Sequence, residues 1–170
     1  PVDQVVIKGV DVDATGNSFV TGYYTGQLNS SALNTSNMQD GFVAKFDASG
    51  SLQWAHKFGG PGSDAGNAIS FETYGSGAFY ITGYVQYNDP TNVTFDGAGA
   101  SISMPSVSAC LLAASPNNIY LRGGLSSRQA FVAKYDAAGN VLWIKPVYSN
   151  SCQDGEGLGL SASYRHTNGA

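Results

Sequence analysis

Short segments of alternating apolar and polar residues, each bounded by turn residues, recur along the chain. They are rich in aromatic and β-branched side chains, and they include Phe19–Tyr24, Phe42–Phe46 and Leu52–Phe58. Because side chains alternate along a strand, the third segment would carry one face made of Leu52, Trp54, His56 and Phe58. No stretch keeps an apolar stripe at helical spacing over three turns, since Gly or Asn interrupts every candidate. The pattern predicts an all-β fold.

Two of these segments recur in the same order. Residues 42–54 return 89 residues later as 131–143, with Phe-Val-Ala-Lys-aromatic at the start and Trp at the end of both. Residues 17–22 return as 78–83 and more loosely as 118–123. Each hairpin would show one aromatic face, and such a face must stack on a neighbouring unit. The chain is therefore predicted to consist of stacked repeats.

The turns inside the repeated hairpins have a specific chemistry. The segments 47–50 and 136–139 both begin with Asp and end with Gly. An Asp side chain at the start of a turn can accept backbone N–H bonds, and Gly takes the position with positive φ. An all-β unit of about 40 to 45 residues that stacks on copies of itself is typical of a propeller blade.

The order of the motifs resembles the bacterial β-propeller repeat family often called SBBP. The resemblance rests on Asn-x-aromatic-Val/Ile-Thr-Gly at 17–22, on the Phe-Val-Ala-Lys element at 42–54, and on Phe-Gly-Gly-x-Gly-x-Asp-x-Gly-Asn-Ala-Ile at 58–69. It covers most of residues 5–165. It implies a secreted or surface-anchored bacterial protein used for adhesion, matrix or surface structure.

We therefore expect a single β-propeller-like domain over 1–170, an array of four-stranded antiparallel blades. The predicted blades lie at about 5–58, 67–105 and 107–148, with a partial blade at 156–165. The second lacks the Phe-Val-Ala-Lys element and the Trp, so it is either a degenerate blade or two short strands inserted into a longer one. Closed propellers have about four to eight blades, so about 3 to 3.5 blades leave an incomplete ring. Three explanations stay open: the chain is an excerpt of a longer propeller, it completes a ring with other copies, or it adds to its neighbours as a filament.

Composition and charge exclude some classes of partner. Of 170 residues only 12% are charged, the 8 Lys and Arg are scattered, and the net charge is −4. A phosphate-binding surface needs clustered cations, so nucleic acid is not expected as a partner. No apolar run approaches the roughly 20 residues of a membrane span.

Few residues point to a particular chemistry. Asp11, Asp13 and Thr15 begin like a calcium loop, but the twelfth position is Gly22, where an EF-hand needs Glu; an Asp-rich hairpin turn is the alternative. Cys110 and Cys152 fit no metal-ligand spacing, and they form either a disulfide or two buried free thiols. Neither His56 nor His166 lies near a nucleophile motif. No catalytic residues, cofactor or enzymatic activity are therefore predicted.

The remaining features favour an extracellular or cell-surface location. Three glycosylation acceptor patterns begin at Asn29, Asn34 and Asn92. Lys and Glu are scarce, while Ser, Thr, Asn and Gly are abundant. The polar segment 25–41 is longer than a hairpin needs, and long loops on rigid scaffolds often carry recognition.

The favoured function is a structural and interaction module, including self-assembly, whose partners are copies of itself or further blades of a longer chain. The alternative is a propeller that binds glycan or peptide through its loops. In that case tyrosines would stack on sugars, namely Tyr23, Tyr24, Tyr84 and Tyr87, unless they are buried strand residues. A third hypothesis is a fragment of a propeller hydrolase or lyase.

Overall fold

Two antiparallel sheets make up the described part of the chain. The computed structural model describes residues 3–28, 38–72, 77–86, 93–97, 128–147 and 157–161, and the backbone of 102–103. The strands are β1 (Gln4–Val12), β2 (Ser18–Thr25), β3 (Asp40–Phe46), β4 (Leu52–Gly59), β5 (Ala65–Phe71), β6 (Phe79–Gln86), β7 (Thr94–Phe95), β8 (Ile102–Ser103), β9 (Arg128–Tyr135) and β10 (Val141–Val147). No helix occurs within these ranges. The all-β prediction is confirmed.

The first sheet begins as a meander of four consecutive strands. Its order is β1-β2-β3-β4-β7-β8, so the short β7 and β8 are added at the edge formed by β4. The predicted strands correspond to β2, β3 and β4. One detail differs: a bulge shifts the register between Lys45↔Trp54 and Phe46↔Leu52. Leu52 therefore does not share a face with Trp54, and it is exposed.

The second sheet combines strands from two of the predicted blades. Its order is β10-β9-β6-β5, and β6 pairs with β9 over its whole length. The segments 67–105 and 107–148, predicted as separate blades, therefore contribute to one sheet made from 65–86 and 128–147. β7, inside the predicted second blade, pairs instead with β4. The physical reason is that the Phe-Val-Ala-Lys strand β9 offers β6 the same apolar face that β3 offers β2.

The core lies between the two sheets. We call the side of the first sheet that carries Phe19, Val43 and Phe58 its front face, and the opposite side, with Val20 and Phe42, its back face. The front face packs on the second sheet in one buried cluster, and the ring of Phe19 lies 4.9 Å from that of Phe71 and 5.1 Å from that of Phe79. The back face holds a separate cluster. Each fully buried aromatic contributes about 2–3 kcal/mol of hydrophobic stabilisation.

Tight turns lie at one end of the sheets. Asp13, Asp47 and Asp136 each begin a turn, and each accepts the N–H groups of the residues two and four positions later through Oδ1. The glycines of these turns have positive φ of 85°, 85° and 87°. The turn chemistry predicted for 47–50 and 136–139 is confirmed. The longer connections, β2–β3 and β6–β9, both lie at the opposite end.

Candidate interaction surfaces

The two sheets are built alike, beginning with β1 and β5. Each of these is the first strand of its sheet in sequence and lies at one edge of it, and we call them the inner strands. Each inner strand has a register shift at the same place, between Ile7 and Gly9 in β1 and between Gly66 and Ala68 in β5. The register makes Gly9 the counterpart of Ala68. It likewise makes Val10 and Val12 the counterparts of Ile69 and Phe71. The sheets are therefore built alike in register as well as in strand order.

The first sheet, the second sheet and residues 157–161 form three successive layers, and the contact between one layer and the next is also repeated. The hydroxyl of Thr21 donates to the carbonyl of Phe42 at 2.7 Å, and that of Thr82 donates to Phe131 at 2.6 Å. Each threonine abuts a glycine of the next layer: a Cβ on Gly66 would lie 2.0 Å from Thr21 Oγ1, and a Cβ on Gly157 would lie 2.0 Å from Thr82 Oγ1. Gly157 therefore has the same position relative to the second sheet that Gly66 has relative to the first.

A series of hydrogen bonds links β1, β5 and residues 157–161. The ammonium of Lys8 donates to Asn67 Oδ1 at 2.7 Å, and Asn67 Nδ2 donates to the carbonyl of Gly157 at 2.9 Å. The N–H of Gly157 also donates to the carbonyl of Gly83 at 3.1 Å. Residues 157–161 therefore lie on the second sheet where β5 lies on the first. This is the described portion of the predicted partial blade at 156–165.

An aromatic group recurs on the two sheets with different coverage. In the first sheet, Lys45 lies over the ring of Phe19, and Trp54 contacts that ring edge-on. In the second sheet the corresponding residues are Lys134, Tyr80 and Trp143, in a similar arrangement. Phe19 is fully buried by the rings of the second sheet, whereas Trp143 is exposed. The first group lies inside a junction, and the second lies at the open side of the stack.

Apolar side chains are exposed on the back face of β1. Val10 is 64% exposed and Val12 is 57% exposed, whereas their counterparts Ile69 and Phe71 are 6% and 9% exposed. The counterparts are buried because the front face of the first sheet covers them. Val5 and Ile7 extend the exposed strip along β1. A strip of this kind is a candidate contact surface.

Two buried carboxylates, Asp40 and Asp64, lie at the end of the sheets that carries the longer connections. A Cβ on Gly59 would be 2.5 Å from Asp64 Oδ2 and 3.0 Å from Asp40 Oδ1, so both side chains approach this glycine. Asp64 accepts the N–H groups of Gly60 and Gln86 at 2.9 and 2.8 Å. Its carboxylate therefore ties the β4–β5 connection to the end of β6.

Burial dominates the acid–base behaviour of this pair. Burial raises the pKa of Asp40 to about 6, against a lowering by Lys57, whose Nζ lies 3.8 Å from Asp40 Oδ2, and with a further raising by Asp96. Burial also raises the pKa of Asp64 to about 7, although the N–H bonds from Gly60 and Gln86 act in the opposite direction. The sequence indicates Asp64 only as a loop carboxylate in a turn or capping role, and it does not single out Asp40, which stands where the repeated strand has Gln129.

Stability is expected to decrease with rising pH. Both pKa values lie above the ordinary value of 3.8, so the folded state holds these protons more tightly than the unfolded state. This contribution is complete below about pH 4 and is lost as the pH rises through 6 and 7. Asp40→Asn should flatten the profile and stabilise the protein at pH 8 by on the order of 2 kcal/mol. Urea denaturation at a series of pH values measures this.

The matched control is Asp47→Asn. Asp47 is only partly buried and its pKa is lowered by hydrogen bonds from Ser49 and Ser51, so it is ionised in both states above pH 5. The slope from neutral to alkaline pH should be unchanged in this variant. A wild-type free energy of unfolding that rises between about pH 5 and 8 would contradict the raised pKa values.

The three residues of the calcium prediction do not converge. Partial burial acts to raise the pKa of Asp13, but hydrogen bonds from Asn17 and Thr15 outweigh it and lower the pKa to about 2. Its oxygens are used within the turn, where they accept from Thr15 and Asn17. Asp11 instead accepts the N–H of Phe71 at 2.7 Å. Within the described ranges, no group of three or more His, Cys, Asp or Glu side chains is placed to hold a metal ion.

Several predicted sites lie outside the described residues. These are the disulfide candidates Cys110 and Cys152, the glycosylation candidates Asn29, Asn34 and Asn92, and also His166 and Tyr87. Tyr24 and Tyr84 are buried, so neither can stack on a sugar. His56 stacks on Trp54 at 5.0 Å, and burial lowers the pKa of its imidazole.

Comparison with known proteins adds no relative. No protein-family model matches the chain, and no curated protein is significantly similar to it. In the part of the chain that the structure describes, no helix has the length and apolarity to cross a bilayer.

Proposed function

We propose that the protein is an extracellular or cell-surface structural and interaction module, built of propeller-type repeats, which self-assembles through its sheet faces. On this proposal each four-stranded meander is a blade: β1–β4 form the first, and β5, β6, β9 and β10 form the second. Residues 157–161 begin the third. The location follows from the resemblance to the SBBP repeats and from the composition.

One observation carries the proposal. Val10 and Val12 on β1 are exposed, while Ile69 and Phe71, at the same positions of β5, are buried by the neighbouring sheet. The same strip thus occurs twice, covered on β5 and open on β1, while the back face of β2 and β3 is buried at Val20, Tyr24 and Phe42. A strip whose counterpart is covered by a repeat unit has the form to be covered by another repeat unit.

Sedimentation velocity of the purified full chain tests the proposal. The weight-average mass should rise with protein concentration, because burial of the β1 strip offsets the cost of association. Substituting Val12 by Lys should remove this concentration dependence. A wild-type chain that remains a monomer at every concentration would refute self-assembly.

A second function, recognition of glycan or peptide through loops, has its own supporting observation. The β2–β3 and β6–β9 connections leave the sheets at the same end, beside Asp40 and Asp64. Arg128 lies over the ring of Tyr84 at this end, at 4.1 Å from the ring centroid. Glycan and peptide arrays test it: binding that Arg128→Ala weakens supports recognition at this end, and an absence of binding to any probe counts against it.

A further inference from the structure

The inner strands indicate which surfaces meet in the proposed assembly. We propose that β1 of a second copy of the chain stacks on the open side of residues 157–161, so that copies join head to tail. This inference rests on the proposed self-assembly, and it adds the identity of the partner and of both contact surfaces.

The contact between β1 and β5 supplies the template. A Cβ on Gly9 would lie 3.0 Å from Ala68 Cα and 3.0 Å from the nitrogen of Ile69, so the two backbones approach closely here. The neighbouring residue Lys8 reaches Asn67 through its hydrogen bond. The two inner strands therefore contact each other in two ways: the backbones meet at a small residue, and the side chain of the preceding residue makes a hydrogen bond.

The contact between β5 and residues 157–161 repeats this template. Asn67 now contributes the hydrogen bond, to the carbonyl of Gly157. Since Gly157 takes the place of Gly66 beside a threonine hydroxyl, Leu158 takes the place of Asn67, and Gly159 takes that of Ala68. Residues 157–161 thus carry both features that β1 and β5 use to contact the next layer.

The two corresponding residues of the third layer, Leu158 and Gly159, are exposed to solvent. A Cβ on Gly159 would meet no atom of the described residues within 4 Å, and Leu158 is 76% exposed. At the other end of the stack, β1 exposes Val10 and Val12 where β5 buries its counterparts. The open side of 157–161 and the back of β1 are therefore the two halves of the junction that occurs inside the chain.

The chemistry of the two halves is complementary. The polar residues Lys8 and Asn67 make the contacts inside the chain, whereas the exposed residue at the open side is Leu158. An apolar side chain here suits the apolar strip of β1. Because the two surfaces differ, the contact is heterologous and leaves a free surface at each end of every oligomer.

Single substitutions can block either surface without disturbing the fold. Gly159→Val adds a side chain in open space, and Val10→Lys changes a side chain that is already largely exposed. Each should weaken association by at least about tenfold in sedimentation equilibrium, with an unchanged circular dichroism spectrum. Leu142→Lys, which alters an exposed residue of β10 outside both surfaces, should associate like the wild type.

Mixing the two blocked variants gives the decisive result. Val10→Lys retains its 157–161 surface and Gly159→Val retains its β1 surface, so the mixture should form one-to-one heterodimers that do not grow further. If Val10→Lys abolishes association while Gly159→Val and Leu158→Asp leave it intact, two β1 strips meet each other. The head-to-tail inference is then overturned and self-assembly stands. If the wild type never associates, the proposed function itself fails.

Discussion

Replacing Gly22 or Gly83 by alanine is expected to remove a large share of the protein's stability. A Cβ on Gly22 would lie 1.8 Å from the carbonyl oxygen of Val6, and a Cβ on Gly83 would lie 2.0 Å from that of Ala65. In both sheets the bulge of the inner strand directs a carbonyl at the glycine of the neighbouring strand. Because the obstructing atom is backbone, it can yield only if the bulge and its strand pairing change.

The cost should exceed that of ordinary overpacking, which is about 1–3 kcal/mol. We expect a loss of about 3 kcal/mol or more, a large share of the total stability of a domain of this size. Urea denaturation followed by tryptophan fluorescence measures it. Gly159→Ala is the matched control, since Gly159 is exposed and its Cβ would meet no atom within 4 Å in the described part of the chain. If Gly83→Ala matches this control in stability, the close approach at the bulge does not exist in solution.

The local elements were predictable because they depend on neighbours in sequence. The turns at 47–50 and 136–139 follow from an Asp whose carboxylate accepts nearby N–H groups and a Gly with positive φ, and both residues are visible in the sequence. The strands β2, β3 and β4 follow from aromatic and β-branched alternation. Each of these features is decided within a few residues.

The pairing of β6 with β9 was left open by the sequence, which allowed either a degenerate second blade or two short strands inserted into a longer one. Gln86 and Arg128 are partners across a long intervening segment, and a repeat of regular length suggested a strand much closer in sequence. The sheet forms instead from the strand whose apolar face fits β6, because packing across a sheet is independent of separation along the chain. The segments at 67–105 and 107–148 therefore share one sheet.

The burial of the two acids could not be predicted from the sequence for a different reason. Asp40 occurs in a polar stretch that reads as the end of a loop, and nothing in its neighbours indicates that it is 3% exposed. Its burial depends on the strands on either side of β3 and on the β4–β5 connection. The exposed valines of β1 have the same origin: their alternation predicts a strand, while their exposure depends on which sheet face is covered.

Phe79→Ala should produce the second large loss of stability, about 3–5 kcal/mol. Phe79 is fully buried where the two sheets meet: its ring lies 5.1 Å from those of Phe19 and Tyr135, and 6.0 Å from that of Trp54. Truncation removes the ring and leaves a cavity lined by aromatic groups fixed by strands of both sheets. Since these strands cannot close the space without losing their register, the cavity should persist.

The comparison with Leu142→Ala separates burial from residue size. Leu142 is exposed on β10, so its truncation should change the free energy of unfolding by no more than about 0.5 kcal/mol. Phe79→Leu should lie between the two, because it retains part of the buried volume. In the Phe79→Ala variant the fluorescence of Trp54 should also change, since the two rings stack with an interplanar angle of 20°. If Phe79→Ala and Leu142→Ala unfold at the same urea concentration, Phe79 does not lie in a packed junction, and the face-to-face arrangement of the two sheets is wrong.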